Sequence, residues 1–179
     1  MSRRALVASA GVLLAAPALV TRARAQGAVA EIGMQSDQPG ARVWFDPVGL
    51  FIEPGTVVRW HLHASVHTTT AYHPANDRHS LRIPEAAEPW DSGVLVEPDA
   101  TFEVTLTEEG VYDYYCAPHE AAGMVGRIIV GRPAGPGLEP FDYFERLDPR
   151  PDWLPVPAAA QATFPPVEDI MRHRRIAAR

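Results

Sequence analysis

The sequence predicts an all-β protein, a β-sandwich followed by a Pro-rich C-terminal extension. Between residues 26 and 132, short runs of alternating or β-branched residues are separated by Pro, Gly and Asp, which is typical of a sandwich of short strands. Residues 133–179 instead hold half of the chain's eighteen Pro and lose the alternation, which indicates an extended tail. We therefore divide the chain into residues 1–25, 26–132 and 133–179.

Nine runs in the middle part of the chain are predicted as strands. In the fourth run, alternation places Val58, Trp60 and Leu62 on the core side, while His61 and His63 face the other way. The nine runs are residues 28–34, 41–45, 49–52, 56–63, 68–72, 92–95, 101–107, 110–116 and 126–130.

The first 25 residues have the pattern of a secretory signal peptide. Two arginines precede an apolar run over residues 5–20, and alanines at positions 23 and 25 supply the small residues of a cleavage site. The run is shorter than the roughly twenty residues of a membrane span and contains Pro17, so we expect no stable span in the mature protein. The paired arginines fit a twin-arginine signal as well as a general secretory one. The predicted location is periplasmic or otherwise exported.

The charge of the chain narrows the choice of partners. Removing residues 1–25 takes away four of the sixteen basic residues and no acidic one, so the formal net charge changes from -6 to -10. Such acidity argues against nucleic acid and anionic lipid and favours a partner protein with a basic docking surface. The single Cys excludes an internal disulfide framework despite the oxidising destination. A metal-bound thiolate accounts for that residue.

The candidate metal ligands follow the eighth predicted strand in the order Cys-x2-His-x4-Met. Cys116, His119 and Met124 offer the thiolate, imidazole and thioether that hold copper in blue-copper sites together with a second imidazole. Taken singly, each residue type is more often structural, since a buried Cys usually acts as a small hydrophobic residue. The combination at this spacing favours metal, and His67 is the best candidate for the second His.

A family resemblance rests on these residues. Residues 116–119 (Cys-Ala-Pro-His) and 123–126 (Gly-Met-Val-Gly) resemble the ligand loop of the plastocyanin and pseudoazurin branch of the cupredoxins. Residues 45–60 resemble the second and third strands of that family, and the likeness then reaches His67. The resemblance implies a Greek-key sandwich that binds one type 1 copper per chain through His67, Cys116, His119 and Met124.

The resemblance also implies a function, single-electron transfer between redox partner proteins. Four protein donors leave no open coordination position for a substrate, which argues against an enzyme. The alternative is a non-shuttling copper-binding accessory subunit or copper carrier docked to a partner through the C-terminal tail.

One residue departs from the family pattern. In that family the position after the first His ligand is commonly Asn, which ties the two ligand loops together, and here it is Thr68.

Two routes for electrons are compatible with the sequence. In the resembling family, the imidazole edge that corresponds to His119 reaches an apolar surface through which electrons pass. Tyr115 offers a second exit because it lies next to Cys116 and, by alternation, on the opposite face of the strand from the thiolate. An ordinary half-buried strand aromatic explains Tyr115 equally well. The expected apolar surface consists of Pro118, Ala121, Ala122 and Gly123.

Other histidines and the tail raise further expectations. His61 and His63 could form a second metal site with His73 or His79, a weakly supported alternative that would suit a copper enzyme. Residues 73–89 contain too many breakers for regular structure, and a connection of this length is often functional. A final helix is predicted over residues 167–178, and the tail is expected to dock through Phe141, Tyr143, Phe144 and Trp153.

Overall fold

Two β-sheets pack face to face, which confirms the predicted all-β sandwich. The computed structural model describes residues 27–37, 41–146 and 152–178, and the predicted signal peptide lies outside them. Within this part of the chain, no helix is long and apolar enough to cross a membrane. The four-stranded sheet has the order β2-β1-β4-β6 and the five-stranded sheet the order β5-β7-β8-β3-β9. The strands are β1 (Val29–Ser36), β2 (Val43–Asp46), β3 (Gly49–Ile52), β4 (Thr56–Leu62), β5 (Thr70–Ala71), β6 (Thr101–Leu106), β7 (Gly110–Tyr115), β8 (Val125–Val130) and β9 (Arg175–Ile176).

Alternation along β4 sets the inner face of the first sheet. Val58, Trp60 and Leu62 are buried, whereas His61 is half-buried on the outer face and His63 is exposed, as predicted. β4 lies between β1, which runs parallel to it, and β6, which runs antiparallel. The shared core contains an aromatic group that includes Phe45, Trp60, Trp90, Tyr112 and Tyr114.

The second sheet is covered on both faces. Every residue of β7 and β8 is buried, so the period-two pattern of a strand with one solvated face is absent there. One face packs on the sandwich core, while Val111 and Ile129 on the other face contact Ile170 from the C-terminal part of the chain. Covering this second face is the structural role of the C-terminal segment, which we define as residues 133–146 and 152–178.

The C-terminal segment folds as one 3-10 helix (Pro136–Leu138), three short α-helices and one strand. The α-helices are α1 (Tyr143–Arg146), α2 (Ala158–Thr163) and α3 (Val167–His173). The predicted helix over residues 167–178 is therefore too long: it ends at His173 because Arg174 has a left-handed backbone with φ of 64°. The chain then forms β9, which pairs antiparallel with β3. The Arg174 guanidinium lies 3.5 Å from the centre of the Phe51 ring and helps to hold this edge strand.

A buried ion cluster joins the segment to the sandwich. The fully buried carboxylate of Asp113 accepts hydrogen bonds from Arg82 and Arg127. Arg82 also donates to the Gly137 carbonyl at 2.9 Å, and Arg127 donates to the Pro165 carbonyl at 3.1 Å. Each guanidinium thus links the second sheet to a different part of the C-terminal segment.

The aromatic residues of the tail dock on the protein's own sandwich. Phe144 is buried, and the Tyr143 hydroxyl donates to the Leu81 carbonyl at 3.1 Å. The Phe141 ring lies 4.2 Å below the Arg82 guanidinium, while Trp153 packs beside Phe144 with ring centres 5.8 Å apart. The expectation of docking is therefore confirmed.

Two predicted strands are reduced in the structure. The run 68–72 keeps only the two residues of β5, and the run 92–95 is not a strand. Asp91 and Leu95 instead form isolated bridges to Thr70 and His67, because Gly93 turns the backbone with φ of 61°. Residues 73–89 contain no helix or strand, as predicted.

Candidate metal centre

The chain after β7 turns back on itself within nine residues. Cys116 follows the last residue of the strand and precedes a 3-10 helix (Ala117–Ala122), and Gly123 comes next in a left-handed conformation with φ of 83°. The Met124 N–H then donates to the His119 carbonyl at 3.1 Å, and the Cys116 N–H donates to the Met124 carbonyl at 3.0 Å. These backbone bonds close the turn and place all three predicted donors at one end of the sandwich.

His67 enters the same site from the loop after β4. Its backbone pairs with Leu95, and its side chain is fully buried. The His67 Nδ1 atom lies 3.2 Å from the His119 Nδ1 atom and 3.6 Å from the Cys116 Sγ atom. The Cys116 Sγ atom lies 3.4 Å from the His119 Nδ1 atom. One cysteine sulfur and two imidazole nitrogens therefore form a small triangle, the donor set that suits copper.

Hydrogen bonds and burial favour a neutral His67 ring with one free nitrogen. Its second nitrogen, Nε2, lies 3.2 Å from the Ser36 hydroxyl, which fits a tautomer with Nε2 protonated and Nδ1 free to bind metal. Burial, with a smaller contribution from the neighbouring His119, lowers the His67 pKa from 6.5 to about 4. His67 is therefore neutral at neutral pH. Ser36 was not predicted from the sequence, since it lies 31 residues from His67.

Cys116 is buried, and its sulfur accepts a hydrogen bond from Thr68. Burial raises the pKa of the Cys116 thiol, and hydrogen bonding by Thr68 partly opposes that effect. The Thr68 N–H donates to Sγ at 3.3 Å, and the Thr68 hydroxyl accepts a hydrogen bond from the Ala117 N–H at 2.7 Å. Thr68 thus ties the two ligand loops together, although the resembling family commonly has Asn at this position.

Met124 is buried in the main core cluster next to Cys116. Its backbone belongs to the closed turn described above, so its thioether reaches the same end of the sandwich. An apolar, polarizable sulfur in such a position suits a soft metal better than a hard one.

The remaining histidines do not form a second cluster. Among the residues that the structure describes, the only group of three His, Cys, Asp or Glu side chains with donor atoms within 4.8 Å of one another is His67, Cys116 and His119. His61 and His63 lie together on the outer face of β4, with ring centres 4.4 Å apart, and His61 pairs with Asp99. The alternative of a second site built with His73 or His79 is therefore not realised in the described part of the chain.

His79 belongs to a different network, which the sequence did not predict. Its Nε2 atom lies 3.1 Å from the Glu120 carboxylate, which also accepts a hydrogen bond of 2.6 Å from the Tyr72 hydroxyl. Its ring stacks on Tyr115 at a centre-to-centre distance of 4.4 Å. Because Glu120 follows His119, this network anchors the 3-10 helix to the loop over residues 73–89.

The two expected electron routes differ in exposure. Pro118, Ala121 and Ala122 are exposed beside the partly exposed His119, so most of the expected apolar surface is present. The inclusion of Gly123 was wrong, because α2 covers it. Tyr115 is only 1% exposed, since His79 and the C-terminal segment cover its face of the sheet. The hypothesis of a surface exit at Tyr115 is therefore not supported.

Comparison with known proteins matches the chain to a copper-binding family. Residues 32–131 match the family described as copper binding proteins, plastocyanin/azurin family. The chain is 30% identical over 130 residues to a chloroplastic plastocyanin of Silene latifolia subsp. alba, across 73% of this chain and 77% of that protein. It is 52% identical over 40 residues to a plastocyanin of Lactuca sativa, and this shorter match spans 22% of this chain and 40% of that protein.

Solved structures of pseudoazurins are also similar. One from Sinorhizobium is 25% identical with a TM-score of 0.48, covering 75% of this chain and 88% of that one. Another, from Methylobacterium extorquens AM1, is 27% identical with a TM-score of 0.45, covering 57% of this chain and 75% of that one. Since the family match covers more than half of the sequence and includes all four predicted donors, the chain belongs to the plastocyanin/azurin family of copper-binding proteins.

Proposed function

We propose that the protein is an exported type 1 copper protein that transfers single electrons between redox partner proteins. The observation that carries this proposal is the triangle of the Cys116 Sγ, His67 Nδ1 and His119 Nδ1 atoms, 3.2 to 3.6 Å apart. These three residues would hold copper strongly, and Met124 would be the weak fourth donor. When bound, copper supplies a one-electron couple between Cu(I) and Cu(II).

The chain's own residues hold the donors in place in advance. Ser36 orients His67, the Thr68 N–H supports the Cys116 sulfur, and the closed turn fixes His119 relative to Met124. A site held in this way needs little rearrangement when it gains or loses an electron, which favours fast outer-sphere transfer. Four protein donors also leave no position open for a substrate, so we infer a carrier and not an enzyme.

Electrons enter and leave through the His119 edge in this proposal. The imidazole is partly exposed beside the exposed residues Pro118, Ala121 and Ala122, a small apolar group that suits a transient redox contact. Tyr115 offers no competing route at the surface because it is buried. The negative charge of the mature chain favours partners with a basic docking surface around that apolar contact.

The alternative of an accessory subunit held to a partner by its tail has less support. The described part of the C-terminal segment is bound to the protein's own second sheet through Arg82, Arg127 and strand β9. These contacts give the described part of the segment a role within the protein itself, so a tether to a partner is not needed to account for it. The proposal that the protein is exported is supported by the signal-peptide pattern of residues 1–25.

Metal analysis and visible spectroscopy of the purified mature protein test the proposal. We expect one copper per chain and an intense sulfur-to-copper charge-transfer band that disappears reversibly on one-electron reduction. Cys116→Ser removes the soft donor and should abolish that band. A variant that kept the colour would contradict the assignment.

The choice among histidines needs its own pair of variants. His67→Ala should abolish the blue site, whereas His63→Ala, an exposed histidine on the outer face of β4, is the matched control and should leave it unchanged. Equal losses in the two variants would exclude His67 as the specific ligand.

A further inference from the structure

A line of hydroxyl groups continues from Thr68 away from the ligand loops. The Thr68 hydroxyl lies 3.1 Å from the Thr70 hydroxyl, which donates to the Asp91 carboxylate at 3.0 Å. At its other end, the Thr68 hydroxyl accepts from the Ala117 N–H at 2.7 Å. Both threonines are almost completely buried. The chain of bonds therefore runs from the Cys116 loop, through the interior, to a carboxylate near the surface.

The groups at its two ends determine the donor-to-acceptor direction of this chain of hydrogen bonds. The Ala117 N–H can only donate, and an ionised carboxylate such as Asp91 can only accept. The Thr70 proton therefore points to Asp91, so the Thr70 oxygen accepts the proton of Thr68. The lone pairs of the Thr68 oxygen are then directed to Ala117. A chain in which each bond polarises the next is stronger than its separate members, and a charged acceptor at its end adds to this.

Asp91 is itself held in a fixed position. The Gly93 N–H donates to the same carboxylate oxygen at 3.0 Å, and Asp91 forms a backbone bridge with Thr70. This explains why the run 92–95 turns at Gly93 instead of forming a strand. The turn presents a carboxylate to Thr70.

We infer that Thr70 and Asp91 are positioning residues of the copper site, which act through Thr68 to hold the Cys116 loop against the His67 loop. This inference rests on the proposed function. The hydrogen bonds of Thr70 and Asp91 reach the site through Thr68. Thr68 follows His67 in the chain and binds the Cys116 loop twice, with its N–H on the Cys116 sulfur and its hydroxyl on the Ala117 N–H. Hydrogen bonding around the cysteine sulfur tunes the reduction potential of such sites. We call the hydrogen-bonded chain of Thr68, Thr70 and Asp91 the relay. Breaking the relay therefore alters the reduction potential of the site as well as the stability of the fold.

Thr70→Val is the cleanest test because it removes one hydroxyl and keeps the β-branched shape. Thr69→Val is the matched control: Thr69 is also buried, and its hydroxyl accepts a hydrogen bond from the Trp90 indole at 3.1 Å outside the relay. Asp91→Ala removes the terminal acceptor, whereas Thr70→Ser keeps the hydroxyl. Two quantities are measured, the reduction potential by voltammetry and the hydrogen exchange of the Ala117 amide by NMR.

We expect Thr70→Val and Asp91→Ala to shift the potential in the same direction and to speed Ala117 exchange about fivefold or more, the factor equivalent to one net hydrogen bond. Thr70→Ser should restore both values, and Thr69→Val should change neither. Unchanged potential and exchange in Thr70→Val would overturn the inference, as would an equal shift in Thr69→Val. Amide exchange does not depend on a blue spectrum, so failure of the relay is distinguishable from failure of the proposed function.

Discussion

Arg127 holds Asp113 with two parallel hydrogen bonds, from Nε to Oδ1 at 2.7 Å and from Nη2 to Oδ2 at 2.9 Å. Such a paired geometry is the strongest form of contact between a guanidinium and a carboxylate. Arg82 approaches the same carboxylate from the loop over residues 73–89. One acid thus compensates two buried cations, each of which also binds a carbonyl of the C-terminal segment.

Asp113→Ala should therefore be strongly destabilising. It leaves two buried guanidinium groups without their counter-charge, and breaking a buried pair in this way costs about 3–5 kcal/mol of unfolding free energy. Chemical denaturation measures the loss, and limited proteolysis should show faster cleavage in the C-terminal segment. Glu103→Ala, which breaks an exposed pair with Arg59, is the control and should have a much smaller effect because solvent screens that pair. Similar losses in both variants would contradict the role of Asp113.

Met124→Leu should keep copper and raise the reduction potential. A weak axial thioether contributes little binding energy, but its loss disfavours Cu(II) relative to Cu(I). Voltammetry and metal analysis measure the two effects. Met34→Leu is the matched control, since Met34 is equally buried but lies in β1. A lowered potential or loss of metal in Met124→Leu would exclude the axial role.

Gly123→Ala should loosen the contact between α2 and the ligand loop. Gly123 has φ of 83°, and an added Cβ atom would lie 2.8 Å from the Thr163 Oγ1 atom and 3.1 Å from the Ala159 carbonyl oxygen. The left-handed backbone alone costs an alanine about 1–2 kcal/mol, and the crowding adds about 1–3 kcal/mol.

Gly55→Ala separates the two costs of Gly123→Ala. Gly55 has nearly the same φ of 86° but nothing within 4 Å of the added atom. Thermal denaturation should therefore show a larger loss for Gly123→Ala, accompanied by a change in the charge-transfer band that Gly55→Ala lacks. Equal losses and unchanged spectra would mean that α2 does not support the ligand loop.

The pair of His79 and Glu120 predicts a particular pH dependence. Burial tends to lower the His79 pKa, but hydrogen bonds and charge, mainly from Glu120, outweigh it and raise the pKa above 6.5. A raised pKa in the folded state means that the imidazolium stabilises the fold fully below the unfolded value. That contribution is lost as pH rises through the folded value.

His79→Gln should accordingly cost more unfolding free energy at about pH 6 than at about pH 9, since only the charged imidazole gains from Glu120. Denaturant titrations of both proteins at each pH measure the difference. His61→Gln is the control, because its partner Asp99 is 84% exposed and the pair is screened. A cost for His79→Gln that does not change with pH, or that rises with pH, would show that His79 acts only through packing.

Residue spacing along the chain is enough to predict the local features of the site and of β4. Cys116, His119 and Met124 lie within nine residues, so one turn closed by its own backbone bonds brings them together. The inward positions of Val58, Trp60 and Leu62 follow equally from the two-residue period of a strand. Both depend on contacts between near neighbours, which spacing and residue type encode. His67 lay further away, and the family resemblance identified it.

Contacts between distant parts of the chain set the surroundings of that site, and these could not be predicted from the sequence. Ser36 reaches His67 across 31 residues, and Asp113 meets Arg82 across the same separation, so no periodic pattern marks either pair. The length of the last helix was also wrong, since β9 gains backbone hydrogen bonds to β3 that a longer helix would forgo. Tyr115 is buried because the chain after Arg132 returns to cover the second face of its sheet. Whether that face is buried or exposed depends on contacts between distant segments.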